Sequence, residues 1–190
     1  MKLFNKYEKG DYEYASYNKI RSVIVTVLMY ALSAAVYIIG YITTGSNKNL
    51  LTIVAILGVL PASKALIAAI MSIRVKTADE DLRRKIEDNR GDLTGLYNLY
   101  LTSYDMNFYI AHATITGDSL ICYTDSPDFD QKRFNDHIEK HMKIEGLQNV
   151  LIKVFTNPEA YITRLKQLCE TGQSTKTNEK LINLLKNISV

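Results

Sequence analysis

SVIVTVLMYALSAAVYIIGYITT (residues 22–44) and LLTIVAILGVLPASKALIAAIMSI (residues 50–73) decide the fold. Between Ser22 and Ile73 there is no Asp or Glu, and the only cations are Lys48 and Lys64. At about 1.5 Å rise per residue, each run exceeds the roughly 30 Å hydrocarbon core of a bilayer. A backbone in lipid must satisfy its own hydrogen bonds, so both runs are expected as transmembrane helices joined by the short 45–49 loop into a hairpin. The alternative, two buried core helices, is disfavoured because apolar runs this long usually cross membranes. A cleavable signal peptide is disfavoured too: the apolar run is too long, and a polar stretch of residues 1–21 precedes it.

The average composition conceals this. Across 190 residues the chain is 47% hydrophobic and carries 23 Lys+Arg against 20 Asp+Glu, a net charge of +3. The excess of cations lies in the first 74 residues, whereas from Val75 onward the charges nearly balance. Lys2, Lys6, Lys9, Lys19 and Arg21 precede the first span, and Arg74, Lys76, Arg83, Arg84 and Lys85 follow the second; the loop holds only Lys48. The positive-inside rule therefore places the protein in the cell membrane as a multi-pass chain with both termini cytosolic. The three expected regions are a cytosolic N-terminal tail (1–21), two transmembrane helices (22–74) and a cytosolic domain (75–190). With no basic stripe interleaved with aromatic residues, nucleic acid is not an expected partner.

Within the spans, Lys64 is the one ionisable residue that invites a transport role. It lies roughly one and a half turns from the cytosolic edge, so its stem can snorkel to the headgroups. Tyr30 reaches a similar depth and is a candidate hydroxyl partner. Pro61 removes a hydrogen bond to the Leu57 carbonyl and is expected to bend the second helix beside Gly58. Tyr30, Tyr37 and Tyr41 share one helix face, and Ala31/Ala35 and Ala65/Ala69 have the small-xxx-small spacing that suits helix packing, within the hairpin or between copies. Tyr7, Tyr12, Tyr14 and Tyr17 in the tail suit a headgroup layer.

The remainder is expected to be α+β. Thr77-Ala-Asp-Glu80 resembles a capping box opening a helix over 78–89. LTGLYNLYLTSY (93–104) fits both a helical and an alternating period, and a strand over 96–103 is preferred. FYIAHATI (108–115) and SLICYT (119–124) flank a Thr116-Gly117-Asp118 turn, a hairpin signal. A helix over 129–144, a strand over 149–155 and a helix from Thr156-Asn-Pro-Glu159 to about Cys169 follow. A polar linker (170–178) leads to a last helix with Leu181, Leu184, Leu185 and Ile188 on one stripe. The order α-β-β-β-α-β-α-α implies a mostly antiparallel sheet with one strand returning across a helix.

No catalytic motif stands out, and no cofactor is expected. His137 and His141, at i and i+4, are metal-ligand candidates, but the intervening residues are not those of a zinc protease and the pair falls beside Phe134 and Ile138 on the apolar side. Asp125, Asp128 and Asp130 could offer hard oxygen ligands to Mg²⁺ or Ca²⁺, although their place before a helix equally suits capping. Cys122 and Cys169 are expected as reduced thiols.

The run FYIAHATITGDSLICYTDS, with NVLIKVFTNPEA downstream, resembles the nuclease-related domain of the restriction-endonuclease-like superfamily over residues 78–166. That family carries a metal-binding Asp on its second strand and a Glu-x-Lys on its third. Matched onto this chain, those positions fall near Ala111 and near Tyr123 and Asp125, and the required side chains are missing. The resemblance therefore implies the fold without its metal chemistry. The chain also resembles small two-helix membrane proteins of low-GC anaerobic bacteria. The preferred function is a two-pass membrane protein whose domain binds, scaffolds or assembles without catalysis. Its partners would be the lipid bilayer and a protein or second copy of itself. The alternatives are a membrane-tethered metal-dependent hydrolase and an oligomeric channel or transporter subunit.

Overall fold

A computed structural model describes residues 6–147, 149–170 and 179–190. Most of the expected polar linker, like Lys2, lies outside these residues. The chain divides into two compact units, residues 16–74 and residues 1–15 with 75–190.

The first unit is a pair of helices, α1 (Tyr14–Thr44) and α2 (Leu50–Arg74). α1 starts eight residues before the uncharged run, so a polar segment extends it. Gly45, at φ +63°, ends α1 with its N–H on the Tyr41 carbonyl, the left-handed geometry that favours glycine. Asn49 opens α2 by accepting from Thr52 N at 2.8 Å. The helices pack antiparallel: Asn18 donates to Ser72 Oγ at 2.9 Å, Ser33 faces Gly58, and Leu51 faces Gly40. The seam is built from small residues seven apart, with Thr26, Ser33 and Gly40 buried on α1 and Ala55, Ala62 and Ala69 on α2. Seven-residue spacing keeps a seam facing its partner, and small side chains let the backbones approach. Of the expected small pairs only Ala69 joins this seam; Ala31 and Ala35 are exposed. Helix α2 runs unbroken through Pro61.

Both helices are long and apolar enough to cross a membrane, and their apolar surface is outward. Most residues of both apolar stretches are exposed. Among the described residues, Tyr104, Ile144 and Leu151 are the only exposed large hydrophobics outside these helices. A core helix of a water-soluble protein would bury that surface instead.

The second unit is an α+β domain. α3 (Glu80–Arg90) is followed by β1 (Thr94–Thr102), β2 (Asn107–Thr116) and β3 (Ser119–Tyr123), then α4 (Gln131–Ile144), β4 (Leu151–Phe155), α5 (Pro158–Glu170) and α6 (Glu179–Ile188). The sheet order is β1-β2-β3-β4; the first three strands are antiparallel, and β4 returns parallel to β3 across α4. Residues 93–104 thus hold a strand, and the expected element order is the observed one. Helices α4 and α6 cover one sheet face through Phe134, Ile138, Met142, Leu181, Leu184 and Leu185. The other face is covered by Ile86 of α3 and Tyr161, Leu165 and Leu168 of α5.

Side-chain alternation breaks once, at the same level in β1 and β2. Leu96 packs on the α4/α6 face, but so do Leu99 and Leu101, which have the opposite parity. On β2, Phe108 and Ile110 share that face with Ala113 and Ile115. The break falls at Asn98, whose φ is +53°, and the Asn98–Ala111 pair is missing from a ladder otherwise in constant register. Asn tolerates the left-handed region better than most residues. Its buried amide explains the choice. Oδ1 accepts from Ala78 N (2.7 Å) and from the Tyr109 hydroxyl (3.2 Å), while Nδ2 donates to the Tyr12 carbonyl (2.9 Å).

The N-terminal segment, expected at a headgroup layer, packs on this domain. Tyr97 N donates to the Gly10 carbonyl at 2.7 Å, and the Tyr12 hydroxyl donates to the Ala78 carbonyl at 2.8 Å. Lys9 Nζ donates to the Ser189 carbonyl at 2.6 Å beyond the end of α6. These contacts cover part of the exposed edge of β1, which would otherwise offer unpaired backbone groups.

Asn98→Ala should lower the unfolding temperature of the detergent-solubilised full chain markedly, because each buried group left unsatisfied costs about 1–3 kcal/mol. Asn98→Gly keeps the backbone freedom while losing the same bonds, and should cost less. Equal losses in the two variants would show that the positive φ carries no cost.

Candidate binding cleft on the α3/α5 face

On the α3/α5 side of the sheet, the loop before α3 meets the first turn of α5 over the end of β3. Their side chains enclose a cleft of about 560 Å³, within the range of small-ligand pockets. Ala111 of β2 and Tyr123 of β3 come from the sheet, Leu82 and Ile162 supply apolar walls, and Asp79, Asp81, Asp125 and Glu159 stand around it with Lys85. Ala111, Tyr123 and Asp125 are the positions that the nuclease-like resemblance sets against metal ligands, and here they line one cavity.

These residues do not fit a metal. Ala111 offers no donor atom, and among the described residues no three His, Cys, Asp or Glu side chains converge to hold an ion. Asp125 is exposed in the cleft, and Asp128 is exposed in the loop beyond it. Asp130 is the N-cap of α4 and accepts from Arg133 N at 3.0 Å. His137 and His141 form an edge-to-face pair with ring centroids 4.7 Å apart, and His137 lies 5.8 Å from Phe108, on the opposite sheet face from the cleft. The aspartates and histidines are therefore not brought together. Burial, with His141 and Lys140 nearby, holds His137 below the usual imidazole range, and its buried Nε2 has no hydrogen-bond partner among the described residues.

In the helical pair, Tyr30 does not partner Lys64. Its hydroxyl lies 3.4 Å from Ser63 Oγ, and Lys64 is exposed. Pro61 is likewise exposed on α2.

Electrostatically the cleft stands apart from the rest of α3. Glu80 pairs with Arg83 and Arg84, and Glu87 pairs with Arg90 at 2.7 Å. The four cleft carboxylates form no ion pair with any described residue. Tyr123 is only 6% exposed, and its hydroxyl has no hydrogen-bond partner among the described residues. Burial raises its pKa, and Asp125 adds to the effect.

Behind the cleft lies a polar group that no sequence motif marks. His112 is fully buried beneath α5, with Nδ1 2.6 Å from the Tyr161 hydroxyl, which is also 3.1 Å from Thr114 Oγ1. Asn157 caps α5 by accepting from Glu159 N and Ala160 N, and the following turn delivers Tyr161 to this point. A Cβ at Gly95 would collide with the His112 ring, so glycine makes room for it. Burial, reinforced by Arg90, pushes the His112 pKa down to about 3, and the imidazole stays neutral. The buried network is sealed from solvent and suits a structural role.

The Cys122 and Cys169 thiols are free, and burial raises both pKa values. Cys169 donates to the Arg90 carbonyl at the end of α3 at 2.9 Å, which ties α5 to α3 behind the cleft.

Because unfolded His112 would titrate near 6.5 and the folded one near 3, the unfolded chain binds the extra proton between those values. Stability should therefore fall as pH drops from about 6.5, with a slope of up to about 1.4 kcal/mol per pH unit from this group. Thermal unfolding of the full chain in detergent at pH 7 and pH 5 should show this loss, and His112→Gln should reduce it. No match to the chain was found among protein-family models, curated proteins or solved structures.

Proposed function

We propose that the chain is a two-pass integral protein of the cell membrane, with both termini in the cytosol, whose α+β domain is a non-catalytic binding module. The observation that carries this reading is the α3/α5 cleft: an open cavity edged by four carboxylates that lack ion-pair partners among the described residues, with no convergent metal ligands among them. Supporting the membrane part are the outward apolar surfaces of α1 and α2 and the cations that flank them. The nuclease-like resemblance enters as one of layout alone, since the matched positions Ala111, Tyr123 and Asp125 supply one carboxylate and no lysine. A hydrolase would need a water-activating group within reach of a substrate-polarising one. The cleft holds carboxylates but, among the described residues, no converging set of metal ligands, which favours binding over metal-dependent hydrolysis.

Single-cysteine variants of a Cys122→Ala/Cys169→Ser background test the topology. In intact cells, Ser46→Cys in the 45–49 loop should react with a membrane-impermeant maleimide. Asp105→Cys in the β1–β2 turn should react only after permeabilisation. Labelling of both in intact cells, or recovery of the protein in the supernatant after alkaline carbonate extraction, would overturn the reading.

A further inference from the structure

We infer that the α3/α5 cleft binds an alkylammonium group: a cation carried on a methylene chain, as in a polyamine or the side chain of lysine. This rests on the cleft being the domain's binding site and names the ligand class it takes. The inference follows from charge, shape and one hydroxyl that has no hydrogen-bond partner among the described residues.

Charge decides between cation and anion. The cleft is bordered by the N-terminal ends of α3 and α5, and helix N-termini by themselves favour anions. Each contributes about half a positive charge, and Lys85 adds one, a total of about +2. Asp79, Asp81, Asp125 and Glu159 bring four negative charges. The balance is about −2, so the cleft repels phosphates and carboxylates and attracts ammonium groups.

These carboxylates are not consumed by the fold. Asp79 is the N-cap of α3 yet makes no side-chain capping bond. Helix α5 is already capped by Asn157, which leaves the Glu159 carboxylate unengaged. Asp130, by contrast, caps α4 and pairs with Arg133. Side chains that serve the fold here have visible partners, and those of the cleft do not.

The walls specify the rest of the ligand. Tyr123 buries its ring and lines the cleft, where its unpartnered hydroxyl can accept from an ammonium N–H. Leu82 and Ile162 provide apolar surface beside the carboxylates, which fits methylene groups between charged ends. A bare hydrated metal ion would leave that surface unused. Ala111, the smallest side chain that keeps a Cβ, leaves depth above the sheet where a larger residue would fill it.

The test uses the full chain in nanodiscs of neutral phosphatidylcholine at low ionic strength, with alanine and isoleucine methyl groups isotopically labelled. Spermidine and an acetylated trilysine peptide are titrated separately, and their source is distinguished by which binds more tightly. The Ala111 and Ile162 methyl resonances should shift saturably. Combined Asp81→Asn, Asp125→Asn and Glu159→Gln substitution should weaken binding about 100-fold, roughly fivefold per carboxylate. Added salt should weaken it in the parent protein. Glu80→Gln with Glu87→Gln, carboxylates already held by arginines, should leave it unchanged. Because all five positions are exposed, an unaltered unfolding temperature checks that each variant is intact. Binding that survives the triple substitution overturns the inference. Should citrate or a neutral alcohol shift these methyls while neither cation does, the ligand class is wrong and the cleft remains a site. If no probe shifts them, both the inference and the cleft as binding site fall.

Discussion

The amide of Asn98 is the point on which the α+β domain turns. One buried side chain satisfies a backbone N–H of Ala78, a backbone carbonyl of Tyr12 and the hydroxyl of Tyr109. Tyr12 lies just before α1, and Ala78 lies just after α2, so both places where the chain leaves and re-enters this domain are fastened to a single residue. Beside it, Tyr97 N holds the Gly10 carbonyl and the Tyr12 hydroxyl holds the Ala78 carbonyl, and without the amide three polar groups would lose a partner. Such groups cost more to leave unsatisfied than they contribute when paired. The left-handed backbone of Asn98 is the strain that this arrangement carries. It is sustained because Asn tolerates that region and because three bonds converge there.

That residue also explains why one stretch was hard to read. In 93–104, Leu96, Leu99 and Leu101 all reach the α4/α6 core, so the strand's period of two slips by one residue in its middle. A slipped alternation looks locally like a helical repeat. The matching slip in β2 between Ala111 and His112 is invisible in FYIAHATI because every residue there is small, apolar or buried. Elsewhere local chemistry sufficed. A charge-free run of 23 residues has few alternatives, Asp130 before an apolar period reads as a cap, and Asn157-Pro158 reads as a helix start. The cleft was not legible, since Asp79 and Asp81, Asp125 and Glu159 lie more than 30 residues apart in sequence. Taken singly, Asp79, Asp81 and Glu159 look like ordinary first-turn acids that favour a helix dipole. Only the crossover that lays α5 beside α3 brings them to one cavity. His112 was hidden for the same reason, because its partner Tyr161 comes from the other end of that crossover.

The two units answer to different solvents. In the α+β domain, leucine and isoleucine face inward on both sides of the sheet, and the outward surface is charged. In the helical pair the pattern is reversed, with serine, threonine, glycine and alanine inside and leucine, isoleucine and valine outside. Hydrophobic burial cannot hold α1 to α2 if their surroundings are as apolar as their side chains. Close approach along the 26/33/40 and 55/62/69 seams takes its place, with Asn18–Ser72 as a polar fastening near one end. The inversion is better evidence for a lipid-facing role than length alone, because a buried soluble helix of equal length would not show it.

The same local distortion that fastens the chain also shapes the cleft. Asn98 sits opposite Ala111, and the ladder pair between them is absent. Ala111 and His112, neighbours on one strand, both serve the α3/α5 face, which regular pleating forbids. His112 then fills the interior beneath α5, and Ala111 is left at the cavity with little volume of its own. Ala78, fixed by the Asn98 amide, lines that cavity beside Asp79. The cleft wall and the clamp at Asn98 therefore meet in one residue of chain, Ala78. Binding and fastening are separate chemical tasks, but in this domain they share a wall.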